Sequence, residues 1–352
     1  MAGIDRQVLQ AQLERWADAH YHEGTTVADL RPMPGHAGLS FGFTVRDATG
    51  DLDRLVMRMP PKGVRRSGNT DVLRQVPLLR ALAAAGVPVA EVVWFDDDEQ
   101  WFDVPYFMVR FLSGSTYAVR EPGPAFDAVS CADVLRSAVE ALAQVHRVDH
   151  ERALPGWETP KDLRTEVDFW VPILQKAAEP AWIGMGERTR DALLRRLPSA
   201  PDVGIFHGDF QTNNILFDGS RVVALIDWEI SGIGAQLPDI GWLLFMNDAN
   251  AWYDAAGLES VPPFEQLVGW YAAAVGRDVS LDDVAFFRAL AAYRFGVISC
   301  LNVMLHRTGK RHDPEWERIA LSVPSMFGSA CDLLTGAASL LLPDAGSPAT
   351  GV

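Results

Sequence analysis

Cysteine is scarce in this 352-residue chain. The three residues Cys131, Cys300 and Cys331 are widely spaced, and no Cys-x-x-Cys pair occurs. An odd, dispersed set points to reduced thiols in a cytoplasmic protein. Basic charge is also short. Lys and Arg number 31 against 46 Asp and Glu, leaving a formal net charge of −15. That disfavours nucleic acid and anionic membranes as partners, because phosphate binding needs a basic surface. No apolar run approaches the length of a membrane span. Asp5, Arg6, Glu14 and Arg15 interrupt the N-terminus where a secretory leader would carry its apolar stretch. Internal repeats and low-complexity domains are missing too. What remains is 48% hydrophobic and 22% charged, a globular composition, at a length that suits two lobes better than one core.

Chemistry gathers in one stretch, Phe206-His207-Gly208-Asp209-Phe210-Gln211-Thr212-Asn213-Asn214, followed by Ile215-Leu216-Phe217. Asp218-Gly219 then separates that apolar run from Val222-Val223-Ala224-Leu225-Ile226, which ends in Asp227-Trp228-Glu229. Asp-Gly between two apolar runs predicts a hairpin. The pattern therefore reads as a polar loop, a strand, a tight turn and a strand ending in Asp227. Two carboxylates and an amide at such spacing suit a hard cation, which takes one or two carboxylates plus substrate phosphates. They also suit phosphoryl transfer, which needs a group to accept the proton of the attacking hydroxyl.

This two-part motif resembles the aminoglycoside phosphotransferase family, in which His-Gly-Asp stands where protein kinases carry His-Arg-Asp. The resemblance implies an α+β, two-lobed protein-kinase-like fold, with a small N-terminal antiparallel-sheet lobe and a larger, mainly helical C-terminal lobe. The lobes are expected at residues 1–110 and 111–342, with a structureless tail at 343–352. By resemblance Asp209 is the catalytic base, and Asn214 and Asp227 hold Mg²⁺. ATP or GTP is the phosphoryl donor and a small-molecule hydroxyl the acceptor. His207 is implied to fix the loop.

Read in order, residues 4–20 show apolar positions Ile4, Val8, Leu9, Leu13 and Trp16 at helical spacing. Gly35-His36-Ala37-Gly38-Leu39-Ser40 precedes the alternating Phe41, Phe43 and Val45, a hairpin with a glycine-rich tip. The resemblance places Gly38 and Ser40 against nucleotide phosphates, where glycine lets backbone amides approach a polyanion. The paired strand over Leu52–Met59 presents Arg58 where kinases present lysine. Arginine binds phosphate through a bidentate fork. The following segment carries Gln75 where a glutamate is implied. Its amide oxygen can accept a hydrogen bond from Arg58 but supplies no charge. Pro77 means that the helix starts near Gln75 or kinks. Two strands, Glu91–Phe95 and Trp101–Leu112, flank the acidic turn Asp96–Glu99. Backbone groups from Arg110 to Leu112 are implied to meet the purine edge.

The remainder reads as helical. Residues 132–148 form an amphipathic helix with Val134, Leu135, Ala138, Leu142 and Val145 on one face. His146 and His150 are four apart at its end, a spacing open to zinc or to a structural role. Trp170 and Asp168 are candidates for lining the acceptor pocket. The stretch Gly232 to Asp239 resembles the family's Gly-x-Pro-x-x-Asp segment, with Asp239 holding the loop. So short a path from Asp227 leaves no room for a long activation segment, which argues against a protein substrate. Family members act on aminoglycosides, macrolides, choline, homoserine and sugars, and the acids near Asp248 and at Asp282-Asp283 suit ammonium groups. A second reading, a pseudokinase that binds nucleotide without transfer, follows from Gln75, Pro77 and the missing lysine. Purine preference and oligomeric state are open.

Overall fold

The computed structural model describes residues 5–33 and 39–336. Asp5 starts α1 (Arg6–His20) by accepting the Gln7 and Val8 amides at 2.9 and 3.4 Å. Leu9, Leu13, Trp16 and Ala17 repeat every three or four residues and are buried. Val8, expected among them, stays 51% exposed, because it lies about 100° around the helix from Leu9.

That helix covers an antiparallel five-stranded sheet. The strands are β1 (Thr26–Pro32), β2 (Leu39–Asp47), β3 (Gly50–Met59), β4 (Val92–Asp96) and β5 (Tyr106–Arg110), ordered β1-β2-β3-β5-β4. Register sets Ser40 opposite Arg58. Val45, Leu55, Met57 and Met108 form the sheet's contribution to a core shared with α1. Trp16 is wholly buried and donates its Nε1–H to Tyr106 Oη at 2.8 Å. The strand expected from Trp101 begins only at Tyr106. Asp103 takes a positive φ of 59° and Pro105 has no amide to give, so the ladder cannot start earlier. Between β3 and β4, α2 (Gln75–Ala84) starts at Gln75. Pro77 thus falls in the first turn, where its missing N–H breaks no helical bond.

The chain divides into two compact units. The first takes the chain up to Gly114 together with Val223–Ile230. The second takes Ser115–Val222 and the chain from Ser231 onward.

In the second unit α3 (Cys131–His146) buries Val134, Leu135, Ala138, Leu142 and Val145 along its expected face. Then follow α4 (His150–Ala153), α5 (Leu163–Phe169), α6 (Val171–Leu174) and α7 (Pro180–Arg195). Strand β6 (Val203–Phe206) leads into the polar loop, and the hairpin β7 (Ile215–Asp218) and β8 (Arg221–Leu225) follows it. Gly219 turns that hairpin at φ +61°. Strand β9 (Gly232–Ala235) returns antiparallel to β6. The helices α8 (Pro238–Met246), α9 (Phe264–Val275), α10 (Leu281–Arg307), α11 (Glu315–Ala320) and α12 (Val323–Thr335) complete the unit.

Helix α10 corrects one sequence expectation. It is long and apolar enough to cross a membrane by length and composition, with mean hydropathy 1.5 over its best window. Yet 72% of that window is buried inside the protein. Phe287, Leu290, Tyr293, Val297 and Cys300 are all buried, so the helix is apolar as the unit's core.

Helix α8 sits tightly on α10 because Gly241 has no side chain. A Cβ there would lie 2.4 Å from the Phe287 carbonyl carbon and 2.5 Å from its oxygen. Backbone cannot give way as a flexible side chain can. Gly241→Ala is expected to lower stability by about 1–3 kcal/mol, read from urea unfolding. An unchanged midpoint would contradict this close seat.

Candidate active site

The polar loop is held from beneath by one buried carboxylate. Asp239 lies in the first turn of α8 and is fully buried. Its Oδ2 accepts the His207 amide and its Oδ1 the Gly208 amide, both at 2.7 Å. Gly208 takes φ +89°, which a side chain would strain. Asp239 Oδ2 also meets His146 Nε2 at 3.1 Å, and His146 Nδ1 meets Tyr271 Oη at 2.7 Å. Burial pushes the Tyr271 hydroxyl up to about 12, so it stays neutral at this contact. Both His146 ring nitrogens are therefore engaged, which answers the zinc reading of His146 and His150. Among the described residues no three His, Cys, Asp or Glu side chains gather as a metal cage.

On this loop the sequence-predicted residues Asp209 and Asn214 come together. Gln211 Nε2 donates to Asp209 Oδ1 and Asn214 Nδ2 to Oδ2, each at 2.8 Å. Asn214 Nδ2 also reaches the Asp209 carbonyl at 2.9 Å. Two amide donors, one on each oxygen, fix the plane of the carboxylate. A 3-10 turn, Thr212–Asn214, brings Asn214 back over Asp209. Gln211 was not singled out in the sequence, although its place two residues after Asp209 was the available signal.

The first unit assembles its own charged set. Arg58 Nη2 contacts Asp227 Oδ1 at 2.9 Å and Glu229 Oε2 at 3.7 Å. Arg74 Nη1 donates to the Glu229 carbonyl at 3.0 Å. Asp227 adopts φ +66°, a left-handed conformation costing a non-glycine residue about 1–2 kcal/mol. Such strain persists only where surroundings hold it, and here the Arg58 contact does so. Gln75 is buried, with 2% of its surface exposed, but no hydrogen bond joins it to Arg58. The expected partnership is replaced by the Asp227 and Glu229 carboxylates, which attract a guanidinium more strongly than a neutral amide does.

The other nucleotide candidates separate. Ser40 faces Arg58 across β2 and β3, whereas Gly38 lies outside the described residues. The Arg110 amide is already bonded to the Glu91 carbonyl, and its side chain pairs with Asp53 and Glu91 at 2.5 and 2.9 Å. The Phe111 amide is bonded to the Arg54 carbonyl. Leu112 enters no backbone hydrogen bond among the described residues, so its amide and carbonyl are available.

A magnesium ion needs hard oxygens, with substrate supplying the rest. Asn214 Oδ1 and Asp227 Oδ2 each receive no protein donor among the described residues, so each fits that requirement. Other candidates are already spent. Asp168 pairs with Arg190 at 2.6 Å, and the buried Asp248 with Arg288 at 2.5 Å. Burial pushes the Cys300 thiol up to about 12, which removes it as a nucleophile.

Asp239→Asn keeps the shape but removes the charge that His146 and two amides share. Hydrogen bonds to a charged group contribute about 1.5–3 kcal/mol each, and urea unfolding is expected to show a loss of at least that size. A change below about 1 kcal/mol, the range of an exposed pair, would mean that Asp239 does not hold the loop.

Comparison with known proteins follows the same lines. Residues 34–276 match the model of the Phosphotransferase enzyme family. The Acyl-CoA dehydrogenase family member 11 of Gallus gallus is 27% identical over 260 residues, covering 69% of this chain and 33% of that protein. The chain thus spans about a third of that relative's length. A candidate aminoglycoside phosphotransferase of Ralstonia eutropha shares the fold with a TM-score of 0.75, at 20% identity, over 93% of this chain and 98% of its own. A thermostable mutant of aminoglycoside phosphotransferase APH(4)-Ia, solved with AMP-PNP and hygromycin B, gives a TM-score of 0.60 at 16% identity, over 93% and 99%. The expected kinase-like fold is therefore the observed one, and with more than half of its length matched to the family model this chain belongs to the phosphotransferase enzyme family.

Proposed function

We propose that the chain is a small-molecule kinase that moves the γ-phosphoryl group of ATP or GTP to an acceptor hydroxyl. The observation that carries this reading is the Asp209 carboxylate, held on both oxygens by Gln211 and Asn214 at 2.8 Å. A carboxylate so oriented accepts the proton of an attacking hydroxyl as the new P–O bond forms and the bond to the departing diphosphate breaks. When bound, the nucleotide and its Mg²⁺ supply the phosphoryl group and neutralise the charge that develops on it.

The chain's own residues bind and orient. Asn214 and Asp227 offer their free oxygens to the metal. Arg58 uses only Nη2 on protein carboxylates among the described residues, which leaves Nε and Nη1 to fork onto phosphate. Ser40 is read as a phosphate contact, and so is Gly38, which precedes it in the sequence outside the described residues. Leu112 provides backbone groups for the purine, with Arg110 beside it as scaffold. Gln75 supports α2 from within the core rather than serving Arg58. Free cysteines at Cys131, Cys300 and Cys331 agree with a reducing cytoplasmic setting.

A second observation narrows the acceptor. The curated relative named above is called an acyl-CoA dehydrogenase family member, and the matched region is a third of it. A hydroxyl carried on an acyl chain is accordingly the first acceptor class to test, ahead of aminoglycosides.

Mg²⁺ with ATP or GTP is expected to raise the melting temperature by mass action. Asp209→Asn should retain that shift while losing transfer by about a hundredfold or more. Near-normal turnover in this variant would remove Asp209 as the base. A retained shift with no transfer in the wild type, across the acceptor classes, would favour the pseudokinase.

A further inference from the structure

The buried contact between His146 and Asp239 continues outward. His146 closes α3, and its Nδ1 meets Tyr271 Oη of α9 at 2.7 Å. Tyr271 is wholly buried. Burial pushes its hydroxyl up, and the guanidinium of Arg277, just past the end of α9, stands close enough to oppose that push. Arg277 is itself held in place. Its Nη2 donates to Gln236 Oε1 at 2.9 Å and pairs with Asp202 Oδ2 at 3.3 Å. Gln236 is buried and donates Nε2 to the His146 carbonyl at 2.9 Å and its backbone amide to the Asp202 carbonyl at 3.0 Å. Gly204 makes room for it, because a Cβ there would lie 2.3 Å from Gln236 Nε2.

The direction of each hydrogen bond follows from which groups lack a lone pair. A guanidinium carries donors and no acceptor, so the Tyr271 hydroxyl hydrogen cannot go to Arg277. Among the described residues its one hydrogen-bond partner is His146 Nδ1. A buried hydroxyl hydrogen left without an acceptor is costly, so the hydroxyl donates to Nδ1. Nδ1 then keeps its lone pair, and the ring proton sits on Nε2. That nitrogen faces Asp239 Oδ2 at 3.1 Å, and an ionised carboxylate only accepts. In the opposite tautomer two lone pairs would face each other there. In the imidazolium the Tyr271 hydrogen would lose its acceptor. One arrangement satisfies Tyr271, His146 and Asp239 together.

We infer that Tyr271 and Arg277 are positioning residues for phosphoryl transfer: they fix His146 as the neutral Nε2–H tautomer, which completes the hold of Asp239 on the two amides before Asp209. The role in transfer rests on the kinase reading, whereas the tautomer does not. Neither residue is placed at the reacting atoms. Asp239 Oδ2 carries both the His146 ring and the His207 amide. Turning a lone pair of His146 toward that oxygen repels it and loosens one end of the hold. Asp209, two residues after His207, then loses alignment. The nucleotide contacts proposed for Arg58 and Leu112 lie elsewhere in the chain, so the turnover rate falls while nucleotide binding stays.

The test uses the full chain and reads the tautomer separately from transfer. Long-range ¹H–¹⁵N correlation of ¹⁵N-histidine-labelled protein near neutral pH is compared in wild type, Tyr271→Phe, Arg277→Met and Arg277→Lys, with His146 assigned by its loss in His146→Gln. The wild type is expected to show an unprotonated Nδ1 and a protonated Nε2. Tyr271→Phe should move this pattern toward a mixture of tautomers, Arg277→Met should move it less, and Arg277→Lys, which keeps a cationic donor, should restore it. Tyr271→Phe should also lower kcat for transfer by about tenfold, with the KM for nucleotide and the Mg²⁺-ATP shift in melting temperature retained. Arg277→Met, at a position one-third exposed, supplies the answer if Tyr271→Phe fails to fold. A protonated Nδ1 in the wild type, or a His146 pattern unchanged in both variants, would overturn the tautomer. A changed pattern with unchanged kcat would overturn the positioning role. If the wild type moves phosphate to no acceptor, the kinase reading and the positioning role fail with it, while the spectra still decide the tautomer.

Discussion

One buried carboxylate, Asp239, is the constraint on which the second unit's chemistry depends. Burying a lone charge is prohibitive unless several hydrogen bonds replace the water it loses. Asp239 meets that condition by taking the His207 and Gly208 amides on separate oxygens and the His146 ring on one of them. These contacts set the backbone of the two residues before Asp209. Helix α8 fixes Asp239 in turn, and Gly241 lets α8 lie against the backbone of α10. The position of the Asp209 carboxylate is thus inherited from helix packing, through one side chain, rather than from the loop's own preferences.

Charge is arranged differently in the two units. In the first, Arg58 balances Asp227 and Glu229 at half-buried positions and, among the described residues, meets them through Nη2. In the second, Asp168 is bound to Arg190 and Asp248 to Arg288. The net charge of −15 therefore says little about the acceptor.

The fold and the loop were legible because their signals are local. Asp209, Asn214 and the Asp-Gly turn lie within a dozen residues, and the alternation of β2 and the 3.6-residue period of α3 declare themselves. Asp239 was legible by its spacing. Long-range choices were not. Arg58 and Asp227 are 169 residues apart, and nothing near Arg58 says that it prefers those carboxylates to Gln75. The pairing of β6 with β9 went unseen because Gly232-Ile233-Gly234-Ala235 looks like loop by composition, and it is a strand only because β6 lies beside it.

The most direct test of phosphoryl transfer is ³¹P NMR of the wild-type protein with Mg²⁺-ATP or Mg²⁺-GTP and a panel of small hydroxyl compounds. The panel spans hydroxy acids, their thioesters, amino alcohols and sugars. The account predicts a new phosphate-monoester resonance that grows as nucleoside diphosphate appears, with an acid or acyl acceptor in the tube. Intact nucleoside triphosphate with every acceptor, under conditions where the protein demonstrably binds it, would contradict the account.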